Sequence, residues 1–221
     1  FSYLAKYSIK KADLIRSISD FTEKQVLNFG YQGLFVRFPA WINIDNYLNA
    51  DIKRSYSDTF KIIFVGSVTE RKNPKIIIES LETIDGNVSL EIIGQTPNLK
   101  YLKELNNLIS SSKHAENITM TPFIKAEELI SKYSSANLFI LPSKSEGLGR
   151  VIIEAQSTAC PVLVSSNTGM VDLIIENETG YIFENNNKND LSNKIQHIMN
   201  NYESALQTGL NLSLIHISEP T

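Results

Sequence analysis

Short apolar runs alternate with amphipathic stretches along most of the chain. The run Ile62–Val65 is apolar at every position, which is typical of a strand covered on both faces. Strands of this kind, separated by amphipathic segments of helical length, predict βαβ units and a parallel sheet. The predicted strands are Asp13–Ser17, Leu34–Phe38, Lys61–Gly66, Ser89–Gly94, Ile118–Thr121, Leu138–Leu141 and Pro161–Ser165. The predicted helices are Phe21–Asn28, Pro74–Leu81, Asn98–Ser110, Ala126–Tyr133, Arg150–Ala159 and Asp190–Asn200.

Two of the helix starts carry capping signals. Asp20 and Glu23 form a pair that resembles a capping box at the first predicted helix. Asn73 is predicted to cap the helix that opens at Pro74, because proline is favoured at the first helical position.

A domain boundary is predicted in the forties. Pro39 to Trp41 ends the first region, and a polar run without clear periodicity follows before the strand near Phe60. Trp41 is expected to pack at the hinge, with stacking on a sugar as the alternative. The expected organisation is a C-terminal remnant of one α/β domain at 1–41, a linker at 42–59, a second domain at 60–202 and a tail at 203–211.

The two ends of the chain look cut. The last ten residues, Leu212–Thr221, match letter for letter the translation of a transposase adapter used in preparing sequencing libraries. We therefore expect no evolved role for this segment and exclude it from fold reasoning, although its apolar alternation alone would suggest a terminal strand. Phe1 lies inside a helical pattern, so a gene fragment is expected.

Composition excludes several classes of protein. A hydrophobic fraction of 42% with 20% charged residues is that of a globular chain. The net charge of −3 gives no electrostatic footprint for nucleic acid, and no apolar run reaches the length of a membrane span. The single cysteine, Cys160, cannot form an internal disulfide and is expected to be a packed small side chain in a reducing compartment.

The most informative stretch runs from Leu141 to Ala155. A predicted strand ends at Leu141, a loop carries Glu146-Gly-Leu-Gly149, and a helix starts at Arg150. Ligands of open α/β sheets bind at the carboxyl ends of the strands, and helix N-termini favour phosphate. Two glycines allow close approach of the backbone to such a ligand.

Glu146 and Glu154 flank this expected anion site. Because carboxylates repel phosphate at contact distance, they are better suited to accept hydrogen bonds from hydroxyls on either side of it. A sugar and a ribose would meet that requirement. The competing interpretation is an ordinary strand-to-helix turn with two solvated carboxylates, and a bare glycine pair would not exclude it.

The motifs around these residues resemble the family-4 retaining glycosyltransferases over most of the chain. Glu146 and Glu154 match the family's E-x7-E spacing. The other matching blocks are Lys11–Ile15 with Ser17-Ile-Ser19 and Phe21-Thr22, Phe64–Asn73, Pro142-Ser143, Pro161–Val164, Thr168-Gly169 with Asp172, and Gly180–Phe183. The resemblance implies the GT-B fold, with this chain holding the nucleotide-sugar-binding C-terminal half.

The resemblance also implies residue roles. Glu146 would hold the donor-sugar hydroxyls at the reacting centre, and Glu154 would bind the ribose hydroxyls. Lys72 would neutralise the diphosphate leaving group. Backbone N–H groups of the loop that leads into the helix would share that task, through Gly147, Leu148, Gly149 and Arg150. Family members use no metal or other cofactor, and this sequence has no Asp-x-Asp and no spaced histidine cluster.

Four positions depart from the family pattern. The frequent arginine after the first glycine is Ser67 here, so Arg71 either supplies that phosphate contact or is a solvated charge. Asn73 replaces a glycine, and asparagine tolerates the left-handed conformation better than most residues. Thr168 replaces one glycine and Asp172 shortens a glutamate, which puts contacts there in doubt.

The expected activity is transfer of a sugar, with retention, from a nucleotide diphosphate sugar to a glycan or lipid-linked acceptor. Alternatives are a nucleotide-sugar-binding module without catalysis and a GT-B nucleotide-sugar epimerase. A Rossmann dehydrogenase is disfavoured because no G-x-G-x-x-G follows the Lys61–Val65 strand. By analogy the parent protein is expected in the cytoplasm, with peripheral association at the inner face of the membrane.

Overall fold

The computed structural model describes the backbone of residues 3–37, 43–56 and 58–218, and the side chains as far as residue 211. The helices are α1 (Tyr3–Lys11), α2 (Asp20–Asn28), α3 (Asp45–Leu48), α4 (Lys75–Leu81), α5 (Leu99–Ser111), α6 (Ala126–Ser135), α7 (Arg150–Ser157), α8 (Lys188–Asn200) and α9 (Tyr202–Ser218). The strands are β1 (Leu14–Ser17), β2 (Leu34–Arg37), β3 (Phe60–Val65), β4 (Val88–Ile93), β5 (Ile118–Thr121), β6 (Leu138–Leu141), β7 (Val162–Ser165) and β8 (Tyr181–Phe183).

A six-stranded parallel sheet forms the centre of the molecule, in the order β5-β4-β3-β6-β7-β8. Strands β6 and β7 are buried at every position, as expected for strands covered by helices on both faces. Helix α4 packs on α5 and α8, while α7 packs on α6 and α9. The prediction of an α/β fold with a parallel sheet flanked by helices is therefore confirmed.

The first region forms a separate pair of parallel strands, in which Leu14 lies beside Leu34 in register. Helix α2 follows β1, and its cap differs from the sequence prediction. Ser19 is the N-cap residue and Thr22 completes the box, because the Ser19 hydroxyl accepts from the Thr22 amide at 3.2 Å while Thr22 Oγ1 accepts from the Ser19 amide at 3.2 Å. The pairing of Asp20 with Glu23 was wrong because the cap lies one residue earlier.

The predicted linker contains a short helix and a notable arginine. Helix α3 lies within it, although no periodicity marks the segment. The Arg54 guanidinium donates to four backbone carbonyls, at the ends of α6 and α7: Tyr133 (2.9 Å), Ala136 (2.6 Å), Thr158 (3.0 Å) and Ala159 (2.9 Å). Helix C-termini leave carbonyls without intrahelical partners, so this one side chain caps two helices at once.

Other differences lie at the ends of elements, in the tail and in β8, which was not among the predicted strands. Within the described residues, predicted boundaries agree with the structure to within two residues. The helix after Asn73 begins at Lys75, with Pro74 as its N-cap residue, so Asn73 is not the cap. Residues 203–211, predicted as a tail, belong to α9, where Ala205 and Thr208 are buried. The backbone of residues 212–218 continues this helix and forms no strand; residues 219–221, Phe38, Pro39, Trp41 and the predicted boundary at 41–42 lie outside the described residues.

Candidate active site

The candidate site lies where the strand order reverses. The chain passes from β3 to β4 on one side of β3, whereas β6 pairs with β3 on the other side. The loops that leave the carboxyl ends of β3 and β6 therefore diverge and leave a crevice, which is the usual ligand position in an open α/β sheet. Lys72 follows β3, and Glu146 follows β6.

Backbone geometry in the loop after β3 places Lys72 beside that crevice. Thr69 organises the turn, since its hydroxyl accepts from the Lys72 amide at 3.3 Å and its carbonyl accepts from the Asn73 amide at 2.9 Å. Asn73 has φ of 54°, in the left-handed region that asparagine tolerates better than most residues. Asparagine in place of the family's glycine is therefore compatible with the left-handed backbone conformation at this position.

Lys72 and Arg71 both contact Glu146. The Lys72 ammonium forms an ion pair with Glu146 Oε2, and only 13% and 16% of the two side chains is exposed. Arg71 Nη1 donates to the same oxygen at 3.2 Å and to the Ser145 carbonyl at 2.7 Å. The Lys144 amide in turn donates to the Arg71 carbonyl at 2.8 Å, so backbone and side-chain contacts join the two loops.

Gly149 lets the loop turn directly into α7. Its φ is +68°, and a Cβ there would lie 2.9 Å from Ile152 Cδ1 and 3.1 Å from Leu141 Cδ2. Gly149 is the N-cap residue and supplies no side-chain acceptor to the first turn. The N–H groups that open α7, near Leu148 and Arg150, are thus available to an anion, which the helix dipole also favours.

Glu154 lies one turn further along α7 in a different environment. It is half-buried, and its Oε2 accepts from the Tyr133 hydroxyl of α6 at 3.4 Å. Burial raises the pKa of Glu154, while Arg150 and the Tyr133 hydroxyl act in the opposite direction. Burial is the largest of these effects, so keeping this carboxylate charged in the folded protein costs free energy.

The loop after β7 packs tightly against Glu146. The Glu146 amide donates to the Asn167 carbonyl at 3.1 Å, and the Gly169 amide donates to the Glu146 carbonyl at 2.9 Å. A Cβ on Gly169 would lie 1.7 Å from the Gly147 carbonyl oxygen, so this position requires glycine. Thr168 fits within the buried core of the loop, and its replacement of a glycine does not prevent the close approach.

The first region also reaches the site. The Ser19 hydroxyl donates to the Gly147 carbonyl at 3.1 Å, and the side chain of Ile18 approaches Gly147. Asp172 is exposed and lies within electrostatic range of Arg37 on β2. The loop that carries Glu146 is therefore contacted from both the central sheet and the α2 region.

Two cavities lie outside this constellation. One of about 520 Å³ is at the same sheet edge, beyond β4 and β5, and is lined by Gly94–Pro97, Leu102, Asn106, Met120 and Pro122. Another of about 430 Å³ lies near the amino ends of β3, β4 and β5. Neither includes Glu146 or Glu154 in its lining, so the candidate site is defined by converging side chains and the α7 N-terminus.

Comparison of the sequence with models of known protein families identifies the family to which this chain belongs. The model of the family described as "Glycosyl transferases group 1" matches residues 48–211. This chain belongs to the glycosyl transferases group 1 family. The match covers more than half of the chain and includes Lys72, Glu146 and Glu154.

Several relatives show how much of a longer protein the chain resembles. The chain is 28% identical over 207 residues to the capsular polysaccharide biosynthesis glycosyltransferase CapM of Staphylococcus aureus, covering 91% of this chain and 52% of CapM. It is 29% identical over 211 residues to an uncharacterised glycosyltransferase of Methanocaldococcus jannaschii, covering 95% and 56%. The chain therefore spans about half the length of these relatives.

The solved structure of HepE from Anabaena, in complex with UDP and glucose, superimposes with a TM-score of 0.87 at 17% identity. The superposition covers 99% of this chain and 63% of HepE. At this identity the likeness shows the fold, which is the GT-B architecture predicted for a group 1 glycosyltransferase.

The structure brings part of the predicted site together, and it shows contacts that were not predicted. Lys72, Arg71 and Glu146 meet directly, and Glu154 lies on the helix that opens at Gly149. Neither the contact of Tyr133 with Glu154 nor that of Ser19 with Gly147 was predicted. The sequence signal for Tyr133 is an aromatic residue late in a predicted helix. Cys160 is fully buried, and burial raises the pKa of its thiol, in agreement with a packing role.

Proposed function

We propose that the protein is a retaining glycosyltransferase that transfers a sugar from a nucleotide diphosphate sugar to a glycan or lipid-linked acceptor. The chain would hold mainly the donor site of a longer enzyme, and residues 3–37 would be the end of its N-terminal domain. The observation that carries this proposal is the meeting of Lys72, Arg71 and Glu146 beside the N-terminus of α7, at the point where the strand order reverses.

Each part of the site suits one part of such a donor. Lys72, Arg71 and the N–H groups of Gly147, Leu148, Gly149 and Arg150 would hold the diphosphate and stabilise its charge as the sugar leaves. Glu146 would accept hydrogen bonds from the sugar and stabilise positive character at the anomeric carbon. Glu154 would accept the ribose hydroxyls. We assign no metal a role, because Lys72, Arg71 and the N-terminus of α7 would supply the positive charge that the diphosphate requires.

The acceptor and location follow by analogy. The name of CapM refers to capsular polysaccharide biosynthesis, and a glycan acceptor is proposed here on that ground. We place the parent enzyme in the cytoplasm, associated peripherally with the inner face of the membrane. No helix in the described part of the chain is both long enough and apolar enough to cross a bilayer.

Calorimetric titration of the 221-residue chain with UDP, GDP, ADP and CDP and their glucose or mannose conjugates tests the donor site. We expect weak binding of one base, reduced in Lys72→Ala, and no turnover by the chain alone. Binding of none of them would overturn the assignment. In the full-length enzyme, product analysis by NMR should show a retained anomeric configuration in the presence of EDTA.

The same product analysis separates the two alternatives. A binding module without catalysis would leave the donor intact in the presence of acceptor extracts. A nucleotide-sugar epimerase would release a free sugar or an epimerised donor without acceptor. The presence of both Glu146 and Glu154 favours catalysis over a binding module, and the sequence of the N-terminal domain would separate transfer from epimerisation.

A further inference from the structure

We infer that Tyr133 is a positioning residue for Glu154, which it orients toward the ribose of the donor. The inference rests on the proposed function, because it assigns a partner to the carboxylate that would bind the ribose. Its basis is a direct contact between α6 and α7: the Tyr133 hydroxyl donates to Glu154 Oε2 at 3.4 Å.

Tyr133 is held in place from several sides. Its side chain is fully buried, its ring meets Phe139 edge-on at 5.8 Å, and Tyr47 of α3 lies 6.2 Å from it between ring centres. Its backbone carbonyl accepts from Arg54 at 2.9 Å. A hydroxyl held so firmly can fix the direction of the carboxylate that it contacts.

The contact uses one carboxylate oxygen. Among the described residues, hydrogen bonds to Glu154 fall on Oε2, which leaves Oε1 for a ligand hydroxyl. Burial and the nearby Glu154 charge raise the pKa of Tyr133 well above its usual value, so the phenol stays protonated and can donate at neutral pH. Buried tyrosine hydroxyls usually find a partner, and here that partner is a group of the candidate site.

Among the described residues, groups from three helices act on Glu154 or feel its charge. Arg150 lies on α7 itself, Tyr133 on α6 and Tyr47 on α3. Of these, Arg150 and the Tyr133 hydroxyl favour the charged carboxylate against the effect of burial. Removal of the Tyr133 hydroxyl should therefore both loosen Glu154 and move its titration to higher pH.

The decisive measurement compares ribonucleoside and 2′-deoxyribonucleoside diphosphates. Calorimetry on the 221-residue chain would give the ratio of the two dissociation constants for UDP, GDP, ADP and CDP against their 2′-deoxy forms. We expect the wild type to favour the ribose form and Glu154→Gln to lose that preference. Tyr133→Phe should reduce the ratio by about threefold or more. This is less than the roughly tenfold effect of losing a direct hydrogen bond to a charged group, because Tyr133 acts on the ribose only through the orientation of Glu154.

A matched control is available in Tyr101→Phe. Tyr101 is also buried, but it lies on α5, and the charges that act on it are those of Glu104, Glu70 and Glu79. This variant should keep the wild-type ratio. Because a ratio cancels any general loss of folded protein, a merely structural role for Tyr133 would change affinity without changing the preference.

A second readout is independent of nucleotide. Carbon-13 NMR of the Glu154 carboxyl should show titration at higher pH in Tyr133→Phe than in the wild type. If no nucleotide binds the wild type, the proposed function fails. If the wild type prefers ribose, Glu154→Gln abolishes that preference and Tyr133→Phe retains it with unchanged titration, the positioning role is overturned and the proposed function stands.

Discussion

The Lys72 ammonium and the Glu146 carboxylate form an ion pair between the loops that follow β3 and β6. Arg71 adds a second cation at 3.2 Å from the same carboxylate oxygen. A diphosphate that binds beside the N-terminus of α7 would compete with Glu146 for both cations. Glu146 would then be released to accept hydroxyls of the sugar.

This competition predicts that Glu146→Gln tightens the binding of a sugar-free nucleoside diphosphate. Removing one competing charge from a partly exposed pair should lower the dissociation constant by about three- to fivefold, and Lys72→Ala should raise it. Titration calorimetry at low and high salt measures whether the dissociation constant falls in Glu146→Gln and rises in Lys72→Ala. Weaker binding of the diphosphate by Glu146→Gln would show that Glu146 does not compete for the cations.

Substitutions of Glu154 and Glu146 should change different kinetic constants of the full-length enzyme when the donor concentration is varied. Ribose contacts are equal in the ground and transition states, so Glu154→Gln should mainly raise KM, by roughly ten- to a hundredfold for about 1.5–3 kcal/mol. Glu146 would act on charge that develops at the anomeric carbon, so Glu146→Gln should depress kcat. The opposite assignment of kcat and KM effects would reverse the two roles.

Glu154 should make the folded chain less stable at neutral pH than Glu154→Gln. Burial raises the pKa of Glu154 above its ordinary value of 4.5. A carboxyl with a raised folded pKa contributes stability below its unfolded pKa, and this contribution is lost as pH rises through the folded pKa. Thermal unfolding should give a higher Tm for Glu154→Gln at pH 7.5, with the advantage fading toward pH 4.

The control for that measurement is Glu127→Gln, on the exposed first turn of α6. It should change Tm little at either pH. An equal gain in both variants at pH 7.5 would point to the general charge balance of the chain as the cause.

Arg54 should contribute strongly to stability, although it lies in the polar segment before β3. Its four hydrogen bonds end on carbonyls of α6 and α7, so Arg54→Ala leaves two helix ends without this cap. We expect a loss of about 2–4 kcal/mol in the free energy of unfolding. Arg54→Lys should recover only part of it because an ammonium lacks the planar fork.

Urea unfolding measures this loss, with Lys53→Ala as the control. Lys53 is adjacent, and 72% of its side chain is exposed, so its removal should be nearly neutral. A midpoint for Arg54→Ala equal to that of Lys53→Ala would contradict the capping role.

Gly147 and Gly169 should respond differently to alanine, although they are in contact. A Cβ on Gly169 would lie 1.7 Å from a backbone oxygen, whereas a Cβ on Gly147 would meet only the flexible side chains of Ile18, at 3.2 Å, and Thr22, at 3.5 Å. Gly169→Ala must displace the Glu146 loop and should lower Tm and abolish nucleotide binding. Gly147→Ala should fold with a loss of no more than about 1 kcal/mol. Similar Tm values for the two variants would contradict the described packing.

Sequence patterns predicted the sheet and the site to different extents. Strands Ile118–Thr121 and Leu138–Leu141 were predicted at their observed bounds. Leu138–Leu141 is a continuous apolar run, and Ile118–Thr121 alternates apolar residues with threonine, so each has a pattern that is typical of a strand. The meeting of Lys72 with Glu146 was predictable because both follow strands of one sheet edge and carry family motifs. Strand β8, at three residues, is too short to show a period.

Contacts between side chains that are distant in the sequence were beyond such reasoning. Tyr133 meets Glu154 because α6 and α7 pack side by side, and nothing in either segment specifies which residues face each other. Arg54 is one cation in a polar run, and its partners are backbone carbonyls without a sequence signature. The α2 cap was misassigned because Asp20 and Ser19 are both good caps, and only the backbone conformation distinguishes them.

The paired strands β1 and β2 have a consequence for the behaviour of the chain in solution. Leu14 and Leu34 lie side by side and are 53% and 72% exposed, and Val36 is 40% exposed. Among the described residues, no further strand pairs with β1 or β2. A small parallel sheet with an apolar surface and unpaired edges is a template for pairing with another molecule. The colloidal stability of the chain should therefore depend on concentration, with aggregation beginning at this surface, whose strand β1 ends two residues before Ser19 and its contact with Gly147.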